Sequence, residues 1–312
     1  MTTMAPALDL QIKSVLVATD FSPASAKPLS HALAIARRYD ARLCVAHVVS
    51  SMGLTLAGPE AVCAAQDAAE RDAEQLGQRL ATAGIPAGQY KTVVRCGDIW
   101  EQLESLIHSE QVDLVILGTH ARHGVRKVLM GSVAEQIFRR TGCPVLTIGP
   151  GAYEQPRVDQ VRAHNPFLFA TDLSDASLQA LPHAVSFANQ FCAQLALFHV
   201  VFTVAMPEDT RVCNPDDLAK LRERECKFAL QQLERMVEKS SAKVRPKLML
   251  SVNTVSPLSD QILSAGAELN ADLIILGLRP TSRSRTSSHL PWSTAYEVVC
   301  RASCPVLTVR AK

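Results

Sequence analysis

Residues 113–134 read D-L-V-I-L-G-T-H-A-R-H-G-V-R-K-V-L-M-G-S-V-A, and the fold of the whole chain can be worked out from them. The segment opens with a buried-type strand, Leu114 to Leu117, that ends at Gly118. A polar, basic loop of twelve residues follows, and Gly131-Ser132 then precedes an apolar-periodic segment. A flexible residue followed by a hydroxyl reads as a helix start, because the hydroxyl accepts from N–H groups that have no partner within the helix. Such a start favours an anion, since unpaired N–H groups and the positive end of the helix dipole point the same way. Glycines on both sides of the loop would also let the backbone approach a phosphate closely. The same pattern describes an ordinary strand–loop–helix crossover whose glycines serve turn geometry, and spacing alone does not separate the two readings.

Working outward, the pattern alternates. Residues 13–19 form a β-type run ending at Asp20, and Pro23 begins a helical segment to about Tyr39. A second strand spans 42–49. After Gly53, Gly58 and Pro59 comes a long helix in which Val62, Ala65, Ala69, Ala73, Leu76 and Leu80 recur at three- and four-residue steps, an amphipathic face. Gly84 and Pro86 stop it. Residues 90–95 form a third strand, Ile99 to Ser109 a helix, Ala134 to Arg140 the continuation of the central helix, and Pro144 to Ile148 a fifth strand. Strands alternating with helices imply right-handed crossovers and a mainly parallel sheet covered on both faces.

The pattern then repeats. A-T-D-F-S at 18–22 returns as A-T-D-L-S at 170–174, and His47-Val48-Val49 as His199-Val200-Val201, both at an offset of 152. D-L-V-I-L-G at 113–118 returns as D-L-I-I-L-G at 272–277, offset 159, and C-P-V-L-T at 143–147 returns at 304–308, offset 161. Ordered matches with slowly growing offsets mean duplication of a whole domain, not a short-period solenoid. The expected organisation is a first domain over 1–150, a linker over 151–164 and a second domain over 165–312.

Composition bounds the function. The chain has 312 residues, 32 Lys+Arg against 30 Asp+Glu, and that near balance argues against bulk electrostatic binding to nucleic acid or an anionic membrane. No apolar run reaches the roughly 18 residues of a membrane helix. The N-terminus lacks the basic and apolar regions of a signal peptide. Nine scattered cysteines, none in a C-x-x-C pair, read as free thiols in a reducing cytoplasm.

Asp20 and Asp172 follow the first strand of each half, at the carboxyl edge where open α/β sheets bind ligands. A carboxylate there can accept from ribose hydroxyls or an adenine amino group; it can equally cap the helix that begins at Pro23. His47 and His199 lie late in apolar strands and read as hydrogen-bonded structural residues, having no neighbours at metal-ligand spacing. His120, Arg122, His123, Arg126 and Lys127 either face phosphates or form a solvated loop. There is no P-loop, no G-x-G-x-x-G and no nucleophile elbow.

Together these features resemble the universal stress protein family in its tandem two-domain form. The resemblance covers nearly the whole chain. The ATP-binding members carry Gly, two residues, Gly, nine residues, Gly, then Ser or Thr. Here the first half reads Gly118, two residues, Ala121, nine residues, Gly131, Ser132. The resemblance implies two five-stranded, Rossmann-like sheets of the adenine nucleotide alpha hydrolase type. It implies ATP, AMP or ADP in the first domain, with Mg accompanying the phosphates. By that resemblance Asp20 contacts the ribose and the backbone around Val48 the adenine, with Ala18, Thr19 and Leu117 also at the nucleotide site. Gly118, Ala121, Gly131, Ser132, Val133 and Ala134 surround the phosphates. Ala121 replaces the family's middle glycine, at a cost of about 1 kcal/mol if that position needs positive φ.

The second half departs further. Counting back from C-P-V-L-T places Trp292 opposite Gly131 and Ser293 opposite Ser132, and counting on from Gly277 places Pro280 opposite Ala121. Trp292 prevents close backbone approach and Pro280 has no N–H to donate. The expectation is therefore a degenerate second site, with Asp172 retained as a helix cap. The leading function is a cytoplasmic stress-response regulator or interaction module with an unidentified protein partner. Weak nucleotide hydrolysis and a nucleotide-free structural module are the alternatives. The apolar last strands, each entered through Cys-Pro, are further expected to pair the halves as a pseudo-dimer, as single domains of the resembled family do.

Overall fold

The computed structural model describes residues 11–50, 58–82, 85–86, 88–119, 132–152, 165–202, 215–253, 256–279 and 289–311; at Ser132, Pro215, Asn253 and 289–293 it describes the backbone alone. These residues group into two compact units, one built on 11–152 and one on 165–302. Residues 120–131, which include Ala121 and Gly131, together with Pro280 and most of the expected linker, lie outside the described residues.

The first unit runs β1 (Ser14–Ala18), a 3-10 turn (Pro23–Ser25), α1 (Ala26–Tyr39), β2 (Arg42–Ser50), α2 (Pro59–Thr82), β3 (Tyr90–Gly97), α3 (Ile99–Ser109), β4 (Leu114–Gly118), α4 (Ser132–Arg140) and β5 (Val145–Ile148). Its strands lie in the order β3-β2-β1-β4-β5, all paired in parallel. Val15, Leu16, Val17, Leu114, Val115 and Ile116 are each 0% exposed, so the central strands are covered on both faces and need no polar alternation. On α2 the structure buries Ala69, Ala73 and Leu80, while Val62, Ala65 and Leu76 are only partly covered. The helix predicted from Pro23 begins instead as the 3-10 turn, and the third strand continues two residues past its predicted end to Gly97. The fifth strand starts at Val145, after Pro144, which has no N–H and gives only its carbonyl, to Val115 N at 3.0 Å.

The second unit repeats the design with β6 (Phe167–Ala170), α5 (Asp175–Phe191), β7 (Leu195–Phe202), α6 (Pro215–Lys239), β8 (Lys247–Asn253), α7 (Leu258–Glu268), β9 (Leu273–Leu278), α8 (His289–Arg301) and β10 (Val306–Arg310). Its order is β10-β9-β6-β7-β8. The duplication extends to backbone strain. Outside glycine, positive φ occurs among the described residues at Phe21 and Leu173 (57° and 63°), Asp40 and Cys192 (both 52°), and Gln111 and Asn270 (both 49°). Each pair is spaced as the matching sequence repeats are, so the same turns were copied with residues that do not all favour them.

Gly118 and Gly277 also have a packing use. A Cβ on Gly118 would lie 2.7 Å from Pro28 Cγ, and one on Gly277 would lie 2.9 Å from Ala176 O and Ser177 Cα. Both glycines let the first helix of their half press against the sheet.

Cys44, Cys300 and Cys304 are buried and Cys63 and Cys192 exposed, with no disulfide among the described residues. Burial, reinforced by the nearby Glu110 carboxylate, pushes the Cys44 thiol up to about 11. No described helix is long and apolar enough to cross a membrane.

Candidate functional site

In the first half the strand order reverses at β1, with β2 on one side and β4 on the other, the arrangement that opens a crevice at the carboxyl ends of the strands. In the first half this is a cleft of about 300 Å³, the lower end of the range for small-molecule sites. The end of β1 contributes Ala18, Thr19 and Asp20; β2 contributes Ala46, His47 and Val48; β4 contributes Leu117 and Gly118. Val133 and Ala134 enter from the first turn of α4, Ile99 and Leu103 from α3, and Ser25 from the 3-10 turn.

Asp20 is held by its own turn. Its Oδ1 accepts from Ser22 N at 3.0 Å and from the Ser25 hydroxyl at 2.5 Å. Phe21 N–H donates to Thr19 Oγ1 at 2.9 Å across the left-handed backbone at Phe21. Thr19 is anchored to β2 twice, by its N–H to Ala46 O at 2.9 Å and by its carbonyl, which accepts from His47 Nδ1 at 2.7 Å. A carbonyl can only accept, so Nδ1 carries a proton. The Phe21 ring lies 5.1 Å from that of His47. His47 is therefore hydrogen-bonded as expected, and it also lines the cleft. No side-chain cap is made by Ser22, the N-cap of the 3-10 turn.

The second half keeps this turn bond for bond. Asp172 Oδ1 accepts from Ser174 N at 3.0 Å and from Ser177 Oγ at 2.7 Å; Leu173 N donates to Thr171 Oγ1 at 3.0 Å; His199 Nδ1 donates to Thr171 O at 2.8 Å. The cap of α5 is Ser174, whose hydroxyl accepts from Ser177 N. Asp172 precedes the cap and serves the turn, which corrects the expectation that it would be the cap itself. Its second oxygen is paired with Arg279 Nη2 at 3.0 Å. Burial would raise the Asp172 carboxyl, but hydrogen bonds from Ser174, Ser177 and Arg279 outweigh it and hold the group at about 2.

Of the residues expected at the site, the cleft gathers Ala18, Thr19, Asp20, Val48, Leu117, Gly118, Val133 and Ala134. Ala121 and Gly131 lie outside the described residues, and Ser132 opens α4 at the backbone level. Sequence reasoning missed Ser25, Ala46, Ile99 and Leu103. The hydroxyls five residues after Asp20 and Asp172 were visible as a repeat, and the four-residue step from Ile99 to Leu103 marks one helix face.

A model of the universal stress protein family matches residues 11–149 and again residues 164–310. The chain belongs to the universal stress protein family. Among curated relatives, a universal stress protein of Methanocaldococcus jannaschii is 26% identical over 151 residues, covering 44% of this chain and 81% of the relative. Universal stress protein A homolog 1 of Coxiella burnetii is 28% identical over 143 residues, 45% of this chain and 97% of its own length. Among solved structures, a universal stress protein from Archaeoglobus fulgidus superposes with a TM-score of 0.66 at 21% identity, covering 96% of this chain and 99% of that one. That similarity supports the same fold in this universal stress protein: α/β units with mainly parallel sheets, two of them in one chain.

Proposed function

We propose that the first half of this universal stress protein binds an adenine nucleotide, ATP or its AMP or ADP relatives, and that it acts as a regulatory or interaction module rather than by turnover. The observation that carries this reading is the cleft itself. It lies at the topological switch point, with a tethered carboxylate on one side and the first turn of a helix on the other. Asp20 suits ribose hydroxyls, Val48, Ile99 and Leu103 offer an apolar wall for a base, and the α4 start suits phosphate. Among the described residues no three His, Cys, Asp or Glu side chains gather at metal-binding distance. A Mg ion would accordingly be held chiefly by the phosphates it accompanies.

The test is direct. Nucleotide released from the purified protein by denaturation is identified by mass spectrometry, and the stripped protein is titrated with ATP in a calorimeter. One site per chain, weakened by Asp20→Ala, is the expected result. No binding, or two equivalent sites, overturns the reading. Phosphate release measured in parallel decides against a purely regulatory role if it is sustained and lost in Asp20→Ala.

A further inference from the structure

A hydroxyl buried without a partner is destabilising, because its lost contacts with water are not replaced. Among the described residues of the first half, three side-chain hydroxyls are in that state, those of Ser22, Thr119 and Thr147. Ser22 as a residue is only partly buried, whereas Thr119 and Thr147 are 6% and 1% exposed. Thr119 directly follows Leu117 and Gly118, which line the cleft. Its N–H donates to Ile148 O at 3.0 Å, so the β4–β5 ladder continues through it and its side chain shares a face with that of Leu117. The register that pairs Val17 with Ile116 brings Thr119 level with Asp20. The first turn of α4 enters the same cleft through Val133 and Ala134. The second half fills the matching place differently. Leu278 follows D-L-I-I-L-G as Thr119 follows D-L-V-I-L-G, and it is buried to the same degree, 7% exposed against 6%. The position is shielded from solvent in both copies, and leucine fits there with no polar atom to satisfy.

We propose that the Thr119 hydroxyl is a ligand-binding group that donates to a phosphoryl oxygen, and that it makes the first half favour nucleotides over nucleosides. The ligand class follows from reading that cleft as a nucleotide site. An ionised phosphoryl group presents acceptors, and a hydroxyl with no protein acceptor has its proton to give. The unpaired N–H groups at the start of α4 favour the same charge. Without a ligand the hydroxyl is destabilising; a phosphoryl oxygen removes that penalty. Thr147 is the internal control. It pairs with Leu117, one side-chain step farther from the carboxyl edge than Thr119, so its hydroxyl has the same chemistry without the same access.

Thr119→Val keeps the shape of the side chain and removes the hydroxyl. In the full chain it should raise the denaturant midpoint of the ligand-free protein, because a methyl group replaces an unpaired polar one. Calorimetric titration should show ATP and AMP bound at least about tenfold more weakly than by the parent, with adenosine unchanged. Thr119→Ser should restore the parent's affinities, and Thr147→Val should leave all three ligands unaffected. A lower midpoint for Thr119→Val would assign the hydroxyl to the fold, and an unchanged ATP affinity would remove it from the site. Either result overturns the proposal and leaves the reading of the cleft standing. So does an equal loss of ATP and adenosine, or a loss of ATP in Thr147→Val that matches the one in Thr119→Val. A parent that binds neither ATP nor adenosine defeats the reading and the proposal together. If Thr119→Val does not fold, judged by circular dichroism, Thr119→Ala carries the same ligand expectation.

Discussion

The two halves share a turn and differ in its surroundings. Asp20 and Asp172 are each tied through one oxygen to the backbone two residues on and to a serine five residues on. Both turns are braced by a histidine on the neighbouring strand and by a left-handed residue after the aspartate. Yet one half carries alanine at the cleft wall and the other phenylalanine, and the second aspartate holds an internal arginine. Duplication kept the scaffold that positions a carboxylate, while the neighbouring strand carries alanine in one copy and phenylalanine in the other. A hydrogen-bonded turn has a structural use in each copy, so its persistence says little about binding.

That comparison can be broken most severely at position 46. Ala46→Phe should copy the second half's wall into the first and cost ATP at least roughly 3 kcal/mol, over ~100-fold in affinity. Ala46 is buried, so circular dichroism and denaturant unfolding are measured alongside to separate lost binding from overpacking. Gly131→Trp, which copies Trp292, should also abolish binding. Unchanged titration curves in both variants would mean that ATP does not use this cleft.

A second pair asks whether the two strand-end glycines serve packing. Gly118→Ala and Gly277→Ala should each destabilise their half by about 1–3 kcal/mol through overpacking. Gly277→Ala should cost more, because its new Cβ meets backbone atoms of α5 while that of Gly118 meets a proline ring. Denaturant unfolding that shows Gly118→Ala as the worse of the two would reverse this ranking.

Ala121→Gly sharpens the comparison from the ligand side. If the middle loop position needs positive φ, the variant should bind ATP about fivefold more tightly, on the order of 1 kcal/mol. Weaker binding would show that the alanine is accommodated.

The smallest effect belongs to the Asp172–Arg279 pair. Both side chains are substantially exposed, so Asp172→Asn should lower stability by no more than about 1 kcal/mol near neutral pH. The folded-state pKa is depressed to about 2. The contribution is therefore fully present above the unfolded value of roughly 3.9 and is lost as pH falls through the folded value. Thermal melts of parent and variant should converge toward pH 2. A gap that widens in acid would assign the shift to another group.

Much of this was legible without coordinates because it is local. Four-residue apolar runs such as Leu114 to Leu117 define buried strands, helical steps define α2, and the repeated A-T-D and C-P-V-L-T segments reveal the duplication. The carboxyl-edge position of Asp20 follows from the strand before it. What the sequence could not decide is which distant segments converge. Ile99 and Leu103 reach the cleft only because α3 packs against β2 and β3, and nothing in their own neighbourhood says so. That Pro28 packs against Gly118 is likewise invisible from the residues around either. Arg279 and Asp172 are separated by 107 residues, and Phe198 looks like any core residue until its register with Ala170 is matched to that of Ala46 with Ala18. Periodicity and turn chemistry act between neighbours in the chain, so the sequence by itself determined the elements and their repetition. Which side chains share one space depends on strand order and register, and only the tertiary structure decided that.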